Sequence, residues 1–488
     1  MAKRNLWLRR ISQAVFLFLW LFLFWQTAHP DFIDLPPDLF LLTDPLVAAL
    51  AAAAARIWTT AFFFSLILVG LTFVFGRFFC GWICPLGTIF DVVGRVWKGK
   101  TSTLLENDRQ WRRVKYYLLA ALCISAAMGC QQLFWCEPLV FLFRGAAMGV
   151  APQAEGTASF LTIVFLITVI GLCGVAHRFW CRYLCPLGAF YGVLSRYSLF
   201  RRRLKGCDGC RKFESRECQI NCAMGAAPRK QGSPEECIRC MRCEAVCHRR
   251  APRYALTIPL PSEKEELVSL DRRTFVLGVG AGAVLGHSLA HARSGLLSDA
   301  PHRIVRPPMV ADEETFLSLC VRCGQCIRAC PSGTLQPLLL EAGIAGLWTP
   351  AVTAKTAGCR PDCNNCASAC PTQAIPPFGA HRTEKWALKM GQATFGSGRC
   401  VSYAYDAVKP CLHCVSVCPN KAIVVDYAAK PSRPKGILVD RCVGCGLCEA
   451  ACREVTAGAP AMELTGNGAG DPVFHVKDPT PRMPGGAG

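Results

Sequence analysis

The chain has 488 residues, of which 52% are hydrophobic, and its formal net charge is +20. The chain is too long to be a small disulfide-stapled domain, and most of its 32 cysteines fall in short runs with the spacing of metal ligands. Much of the basic excess flanks apolar segments, which is the pattern of a membrane protein, so we expect no nucleic-acid partner.

Residues 1–200 are predicted to form a transmembrane domain. Four apolar segments, 11–27, 57–75, 114–129 and 160–176, are long enough, or nearly so, to cross a membrane. Lysine and arginine crowd the stretches before the first segment, between the second and third, and after the fourth. The two remaining loops are acidic or nearly uncharged. Both ends of this domain are therefore predicted to face the cytoplasm.

A motif containing Cys-x3-Cys-Pro occurs twice in this domain. Residues 77–87 read RFFCGWICPLG and residues 178–188 read RFWCRYLCPLG. Two spans in each copy give both motifs the same orientation, and the i, i+4 spacing puts each pair of sulfurs on one side of a helical turn. The thiols are candidates for one shared metal site or for redox dithiols, the alternative being buried turns that only end the helices. They belong to Cys80, Cys84, Cys181 and Cys185.

Residues 201–270 contain two consecutive cysteine runs and are predicted to form a cytoplasmic two-cluster ferredoxin domain. In such domains the fourth cysteine of each run binds the cluster of the other run. One [4Fe-4S] cluster is assigned to Cys207, Cys210, Cys218 and Cys247, and the other to Cys237, Cys240, Cys243 and Cys222. Zinc is the alternative occupant, but three closely spaced cysteines with a remote fourth favour iron–sulfur clusters.

Residues 271–292 have the pattern of a twin-arginine export signal in the middle of the chain. Arg272 and Arg273 precede a weakly apolar segment that ends in Ala290-His291-Ala292. Because four spans return the chain to the cytoplasm, this segment is predicted to be a fifth crossing, either kept as an anchor or cut after Ala292. The alternative is a Gly-rich helix with a solvated Arg-Arg turn, which would make the chain a cytoplasmic polyferredoxin.

Residues 293–455 carry four further cysteine runs and are predicted to form a periplasmic four-cluster domain. The runs are Cys320, Cys323, Cys326, Cys330; Cys359, Cys363, Cys366, Cys370; Cys400, Cys411, Cys414, Cys418; and Cys442, Cys445, Cys448, Cys452. They bring the expected number of [4Fe-4S] clusters to six. The spacing leaves two pairings open, first run with second and third with fourth, or first with fourth and second with third. Residues 456–488 are predicted to be a Gly/Pro-rich tail.

In this order the motifs resemble a fusion of two families of ferredoxin-type proteins. Residues 1–270 are similar to the membrane polyferredoxins of the NapH type, which are related to NosR and MauN. Residues 271–455 resemble the periplasmic four-cluster proteins NapG and MauM. The resemblance implies a membrane α-helical bundle, with four spans plus a fifth at the twin-arginine segment, and α+β ferredoxin-like domains on both faces of a bacterial inner membrane.

The resemblance also implies a function and a cluster pairing. Electrons would pass from the membrane quinone pool, with quinol as substrate, to a periplasmic reductase of the nitrate reductase type or to a cytochrome. The chain would be a quinol dehydrogenase-type component without a terminal substrate site of its own. The implied pairing is nested, with Cys452 joining the first run, Cys330 the fourth, Cys418 the second and Cys370 the third.

Two further expectations concern the membrane domain. About 30 Å of hydrocarbon separates the two sets of clusters, and no pair of histidines is placed to hold a haem between them, so quinone diffusion or the Cys-x3-Cys-Pro thiols must make the connection. Glu137, an acid at the membrane edge, is a candidate proton acceptor for quinol. The alternative function is maturation of a metal centre, or copper reduction, through the same thiols.

Overall fold

A computed structural model of the protein consists of two compact units. The structure describes residues 2–29, 35–97, 108–129, 131, 136–150, 157–204, 218, 221–226, 234–247, 251–257, 276, 280, 284, 304–355, 357–403, 410–456 and 458–466. One unit comprises Met1–Trp25, Leu39–Leu142 and Thr162–His287, and the other comprises Gln26–Asp38, Phe143–Leu161 and Ser288–Gly488. We call them the membrane unit and the C-terminal unit.

Helices dominate the first half of the chain. They are α1 (Ala2–Gln26), α2 (Leu39–Leu42), α3 (Pro45–Ala55), α4 (Thr60–Phe75), α5 (Phe78–Trp82), α6 (Pro85–Val96), α7 (Asp108–Trp111), α8 (Val114–Ala127), α9 (Pro138–Val150), α10 (Thr157–Gly171), α11 (Phe179–Tyr183) and α12 (Pro186–Ser195). Helix α13 (Arg242–Val246) and the antiparallel strands β1 (Phe200–Leu204) and β2 (Pro252–Leu256) belong to the cysteine-rich segment that follows.

Apolar helices occupy all four predicted spans, in α1, α4, α8 and α10. Among the described residues, two stretches are long and apolar enough to cross a membrane, Arg4–Gln26 with 23 residues and Thr157–Gly174 with 18. Helices α4 and α8 have 16 and 14 residues, fewer than the 17 or so that a straight crossing needs. The prediction of four spans is therefore supported by length for two of them.

Helices α3 and α9 lie in stretches that the sequence analysis treated as loops. Asp44 caps α3, where its side chain accepts hydrogen bonds from the N–H groups of Leu46 and Val47, and Pro45 takes the first helical position. Glu137 and Pro138 hold the same positions before α9. In both places an acidic side chain that accepts a hydrogen bond from the first turn is followed by proline, and the apolar run that follows is long enough for a helix.

The C-terminal unit is built from short helices and two-stranded sheets. Its helices are α14 (Glu313–Leu319), α15 (Gln325–Ala329), α16 (Asn365–Ser368), α17 (Arg382–Lys385), α18 (His413–Ser416) and α19 (Leu447–Val455). Its strands are β3 (Leu335–Pro337), β4 (Pro350–Val352), β5 (Gly391–Phe395), β6 (Ile423–Asp426), β7 (Arg433–Ile437) and β8 (Met462–Gly466). They pair antiparallel as β3–β4, β5–β8 and β6–β7, an α+β arrangement like the one predicted for ferredoxin domains.

Candidate iron–sulfur centres

The fourth cysteine of the third run lies with the first three cysteines of the fourth run. Together they line one cavity of about 20 Å³, which is formed by Cys418, Cys442, Cys445 and Cys448. The main-chain N–H of Ala422 donates to Cys418 Sγ at 3.3 Å, and that of Ala393 donates to Cys442 Sγ at 3.4 Å. N–H groups directed at sulfur stabilise thiolate charge, as the ligands of an iron–sulfur cluster require.

The exchange between these two runs is reciprocal. Cys452, from the fourth run, lines a second cavity with Cys400, Cys411 and Cys414. The N–H of Ala461 donates to Cys452 Sγ at 3.2 Å. One buried core also includes Cys414 and Cys442, so side chains of both runs pack into the same interior. This exchange of fourth cysteines is the arrangement of a two-cluster ferredoxin.

The first two runs of the C-terminal unit exchange their fourth cysteines in the same way. One cavity is lined by Cys330, Cys359, Cys363 and Cys366. Cys370 interacts electrostatically with Cys320, Cys323 and Cys326. The Nζ of Lys385 donates to the main-chain oxygens of Arg360 at 2.5 Å and Cys363 at 2.7 Å. This places a positive charge beside the cavity that holds Cys330, where it would stabilise the negative charge of a cluster.

The structure therefore corrects the nested pairing. First run pairs with second and third with fourth, whereas the resemblance implied first with fourth and second with third. Cys452 lies with Cys400, Cys411 and Cys414 instead of the first run, and Cys418 lies with the fourth run instead of the second. The reason is local: α15 packs on α16, and α18 packs on α19, so neighbouring runs fold against each other.

The geometry of these cysteine sets bears on what they bind. A zinc ion needs four sulfurs about 2.3 Å from one point. In the part of the chain that the structure describes, no three His, Cys, Asp or Glu side chains are arranged to hold a single metal ion. The cysteines instead stand around a cavity, as the ligands of a cluster of several atoms do.

The cysteine set in the membrane unit matches the sequence-based assignment. Cys222, Cys237, Cys240 and Cys243 line one cavity. The hydroxyl of Tyr254 lies 3.7 Å from Cys237 Sγ and 3.6 Å from Cys243 Sγ. Burial opposes ionisation of the Cys237 thiol, but Arg239 and Arg202 outweigh it and lower the pKa of Cys237. Of the second predicted set, Cys218 and Cys247 are half-buried, and Cys207 and Cys210 lie outside the described residues.

The two Cys-x3-Cys-Pro motifs come together in the membrane unit. Cys80 and Cys181 lie on the short helices α5 and α11, and Cys84 and Cys185 cap α6 and α12. The Sγ of Cys185 accepts a hydrogen bond from the N–H of Gly188 at 3.1 Å. All four thiols are buried, and they interact electrostatically across the two motifs. We call this set the thiol quartet.

Each motif contributes an arginine that reaches across to the other copy. Arg178 donates to the main-chain oxygens of Cys80 at 2.8 Å and Gly87 at 2.9 Å. Arg77 makes the corresponding approach to Gly188, where an added Cβ would stand 2.8 Å from Arg77 Nη2. Arg178 thus binds the first copy of the motif directly, whereas Arg77 packs against the second copy and donates its hydrogen bonds to Glu235 and Glu236.

Two buried carboxylates neutralise these arginines. Asp91 on α6 binds Arg178 and Arg9, and Glu236 binds Arg77 at 2.9 Å and Lys115. Burial opposes ionisation of Asp91, but the guanidinium groups of Arg178 and Arg9 outweigh it and hold the pKa of Asp91 well below its usual value. In the same way Lys115 and Arg77 lower the pKa of Glu236 to about 2.

The sequence analysis missed this network because it counted the basic residues as loop charge. Arg9, Arg77 and Lys115 are almost completely buried. It also missed a second repeated motif, in which Asp44-Pro45-Leu46-Val47 corresponds to Glu137-Pro138-Leu139-Val140. An acid followed by Pro-Leu-Val in both halves is a signal that a search for internal repeats would have found.

The predicted export signal lies almost entirely outside the described residues. Within 271–292 the structure describes Val276, Gly280 and Val284, all helical and exposed. Arg272, Arg273 and the Ala290–Ala292 step are not among the described residues.

Family models match the cysteine-rich parts of the chain. A 4Fe-4S binding domain model matches residues 57–103 and 158–206, which contain the two Cys-x3-Cys-Pro motifs. A 4Fe-4S dicluster domain model matches residues 358–422 and 409–455, and another 4Fe-4S binding domain model matches residues 315–336. The cysteine sets and these matches together define an iron–sulfur protein with ferredoxin-type domains that bind [4Fe-4S] clusters.

Several known ferredoxin-type proteins are similar to the chain. The methylamine utilization ferredoxin-type protein MauM of Methylobacillus flagellatus is 34% identical over 206 residues, which cover 40% of this chain and 81% of MauM. The ferredoxin-type protein NapH of Haemophilus influenzae is 27% identical over 274 residues, or 52% of this chain and 90% of NapH. MauN of Paracoccus denitrificans is 30% identical over 175 residues, or 35% of this chain and 58% of MauN.

The chain belongs to this family of ferredoxin-type electron-transfer proteins, which includes MauM, NapH and MauN. No solved structure gives a significant match to the chain.

Proposed function

We propose that the chain takes electrons from membrane quinol and passes them through [4Fe-4S] clusters to an acceptor on the periplasmic side. The observation that carries this proposal is the presence of cluster-type cysteine sets in both compact units. Cys222, Cys237, Cys240 and Cys243 lie in the membrane unit, and four further sets lie in the C-terminal unit. The acceptor is a reductase of the nitrate reductase type or a cytochrome. A second process in which the protein would transfer electrons is methylamine utilization, which the name of the relative MauM contains.

Six clusters fit the cysteine runs. The five sets that the structure brings together account for twenty of the cysteines in those runs, and the sixth consists of Cys207, Cys210, Cys218 and Cys247. A cluster supplies one-electron redox chemistry when it is bound. The protein's part is to hold each cluster with thiolates, direct N–H groups at the sulfurs and keep basic side chains such as Lys385 nearby. About twenty-four iron atoms per chain are expected.

We further propose that residues 201–270 lie on the cytoplasmic side of the membrane and residues 293–488 on the periplasmic side. The C-terminal unit includes 26–38 and 143–161, which lie largely in the two loops assigned to the periplasm because those loops are acidic or nearly uncharged. The Arg144 guanidinium lies 4.2 Å from the centre of the Trp348 ring, and Gly324 is packed close to Ala147. These contacts support a C-terminal unit held on that face. Four spans and a fifth at 271–292 complete the proposed topology.

The thiol quartet is proposed to connect the clusters with the quinol. It is buried in the membrane unit, where Arg77 links the neighbourhood of Cys185 to Glu236, the residue before cluster ligand Cys237. The second candidate function is maturation of a metal centre such as copper. The burial of the thiol quartet favours it, because four buried thiols without a haem or flavin motif also suit metal handling.

Redox titration of the purified full-length protein in lipid nanodiscs tests the main proposal. Menaquinol or ubiquinol analogues should bleach the visible absorbance of the clusters. EPR should then give the number of clusters that quinol reduces, for comparison with the number that dithionite reduces. A protein that dithionite reduces and both quinols leave oxidised would overturn the proposal. Replacing the thiol quartet with alanine separates the two functions: lost metal delivery with intact quinol oxidation would favour maturation.

The proposed topology has its own test. A periplasm-specific reporter fused after Ala292 should be active, and R272K/R273K should abolish that activity. A reporter of the same construction fused after Thr257, in the cysteine-rich segment of the membrane unit, should stay inactive. A reporter after Ala292 that remains in the cytoplasm would support the cytoplasmic polyferredoxin instead.

A further inference from the structure

The repeated motif Asp/Glu-Pro-Leu-Val places two carboxyl groups together inside the membrane unit. Asp44 Oδ1 accepts hydrogen bonds from the N–H groups of Leu46 at 2.8 Å and Val47 at 3.1 Å. Glu137 Oε2 accepts from the N–H of Val140 at 2.6 Å. One oxygen of each carboxyl group is therefore fixed by the start of its own helix, α3 or α9.

The two carboxyl groups lie within hydrogen-bonding reach of each other. Asp44 and Glu137 are 1% and 0% exposed, and Asp44 Oδ2 and Glu137 Oε1 have no other hydrogen-bond partner among the described residues. A hydrogen bond joins the two side chains once one of them carries a proton. Two ionised carboxylates are both acceptors and cannot make such a bond, and their like charges repel. The arrangement is therefore suited to one shared proton.

A tyrosine links this pair to the thiol quartet. Tyr191 on α12 is completely buried, its hydroxyl has no hydrogen-bond partner among the described residues, and it interacts electrostatically with Asp44, Glu137, Cys80 and Cys84. Glu137 also interacts with Cys185. A buried hydroxyl that can both donate and accept a proton thus lies near both the carboxyl pair and the thiols.

Among the described residues, no basic side chain is one of the main influences on the pKa of Asp44 or Glu137. Burial is the largest cause that raises the pKa of Asp44 to about 6 and the pKa of Glu137 well above its usual value. Helix α4, which packs on α3, has no ionisable side chain. Helix α8, which also packs on α3, carries Cys123 and, at its start, Lys115, Tyr116 and Tyr117, of which Lys115 and Tyr116 bind Glu236. On α9 itself, Arg144 stacks on Trp348.

We propose that Asp44 and Glu137 form a proton-sharing pair that accepts the protons released when a hydroquinone is oxidised beside the thiol quartet. This rests on the proposed quinol oxidation. Each O–H bond of the hydroquinone would break, and a bound, oxidised [4Fe-4S] cluster would supply the acceptor for its electron. The proton would pass through the Tyr191 hydroxyl to the ionised carboxylate of the pair. The pair returns that proton to water before the second one arrives, leaving quinone and two singly reduced clusters.

Isosteric variants of the full-length protein in nanodiscs test the pair. In D44N, E137Q and the double variant we expect quinol-driven cluster reduction to fall about 100-fold at neutral pH and to lose its pH dependence. Asparagine caps a helix as well as aspartate does, so α3 is expected to form in D44N. Dithionite should reduce as many clusters as in the unmodified protein. E314Q, which neutralises an exposed acid, should retain both rate and pH profile.

The same variants distinguish failure of this inference from failure of the proposed function. If the unmodified protein and D44N/E137Q oxidise quinol at the same rate and with the same pH profile, the pair is not the proton acceptor. If the unmodified protein ignores every quinol while dithionite reduces it, quinol oxidation itself falls, and this proposal falls with it. Infrared difference spectra on cluster reduction give a second readout. A protonated-carboxyl band should be present in the unmodified protein and in E314Q and absent in D44N/E137Q, and its absence from the unmodified protein would contradict a shared proton.

Discussion

Arg178, in the second copy of the Cys-x3-Cys-Pro motif, holds Asp91, which follows the first copy, in a two-pronged ion pair. Its Nε and Nη2 each lie 3.0 Å from a carboxylate oxygen. Arg9 from α1 binds the same carboxylate, and Arg242 from α13 lies 3.4 Å away. One acid therefore fastens the first helix, both motif copies and the cysteine-rich segment together.

Replacing Asp91 with asparagine is expected to destabilise the membrane unit by about 3–5 kcal/mol, because Arg9 and Arg178 would be left buried without their counter-charge. The measurement is denaturant unfolding of the detergent-solubilised protein. D362N is the matched control, since Asp362 pairs with Arg382 at 3.6 Å but is 72% exposed, and its loss should cost at most about 1 kcal/mol. Equal effects of the two variants would contradict a stabilising role for Asp91.

Acid should weaken the membrane unit through Glu236. Its pKa is lowered to about 2 from 4.5, so its stabilisation is complete above pH 4.5 and is lost as the pH falls towards 2. E236Q should therefore be less stable than the unmodified protein by about 3 kcal/mol at pH 7, and the gap should close between pH 5 and pH 2. Unfolding curves at each pH measure it. E463Q removes an exposed partner of Arg399 and should leave a much smaller difference at every pH. A stability gap for E236Q that is independent of pH would contradict the assignment.

The cysteine pairing predicts how many iron atoms double variants lose. Cys418 and Cys442 line the same cavity, so C418S/C442S should lose one cluster, about four iron atoms. Cys418 and Cys359 belong to different cavities, so C418S/C359S should lose two clusters, about eight iron atoms. Iron analysis and EPR spin counts measure the loss. The nested pairing instead predicts the loss of two clusters in C418S/C442S and of one cluster in C418S/C359S. Each variant therefore serves as the control for the other.

Gly81 is expected to accept no side chain. A Cβ at this position would stand 2.3 Å from the main-chain oxygen of Ile238, between two cluster ligands of the cysteine-rich segment. G81A should therefore push that segment away and reduce the occupancy of the cluster held by Cys237 and its partners, as measured by EPR. G70A, on α4, meets nothing within 4 Å and should leave the signal unchanged. A normal signal from G81A would show that the contact with Ile238 is dispensable.

Removing the Tyr254 hydroxyl should lower the reduction potential of the same cluster. The hydroxyl lies within 3.7 Å of the sulfurs of Cys237 and Cys243, and hydrogen bonds to sulfur stabilise the more negative, reduced state. One such bond, at about 1 kcal/mol, corresponds to roughly 40 mV for a one-electron couple. Potentiometric EPR titration of Y254F measures the shift, and Y403F, whose hydroxyl bonds the oxygen of Pro434, is the control. An unchanged potential in Y254F would mean that the hydroxyl bonds elsewhere when the cluster is bound.

The features that could be predicted from the sequence are those determined by residues close together in the chain. The spacing of the cysteines marks cluster ligands, and apolar runs mark the helices α1, α4, α8 and α10, because both patterns are local. Which runs exchange their fourth cysteine depends on how α18 packs on α19 and could not be read from spacing. The burial of Arg77 and Lys115 was missed for the same reason, since a charge count does not reveal a distant partner such as Glu236.

The exchange of fourth cysteines between neighbouring runs has a consequence for how the C-terminal unit matures. Because each run contributes to two centres, each bound cluster joins the two runs of its pair by itself. A pair that has received only one cofactor is therefore already held together, and iron should enter this half of the chain in steps of about four atoms. A chain starved of iron would then contain half-filled pairs whose two runs are still connected.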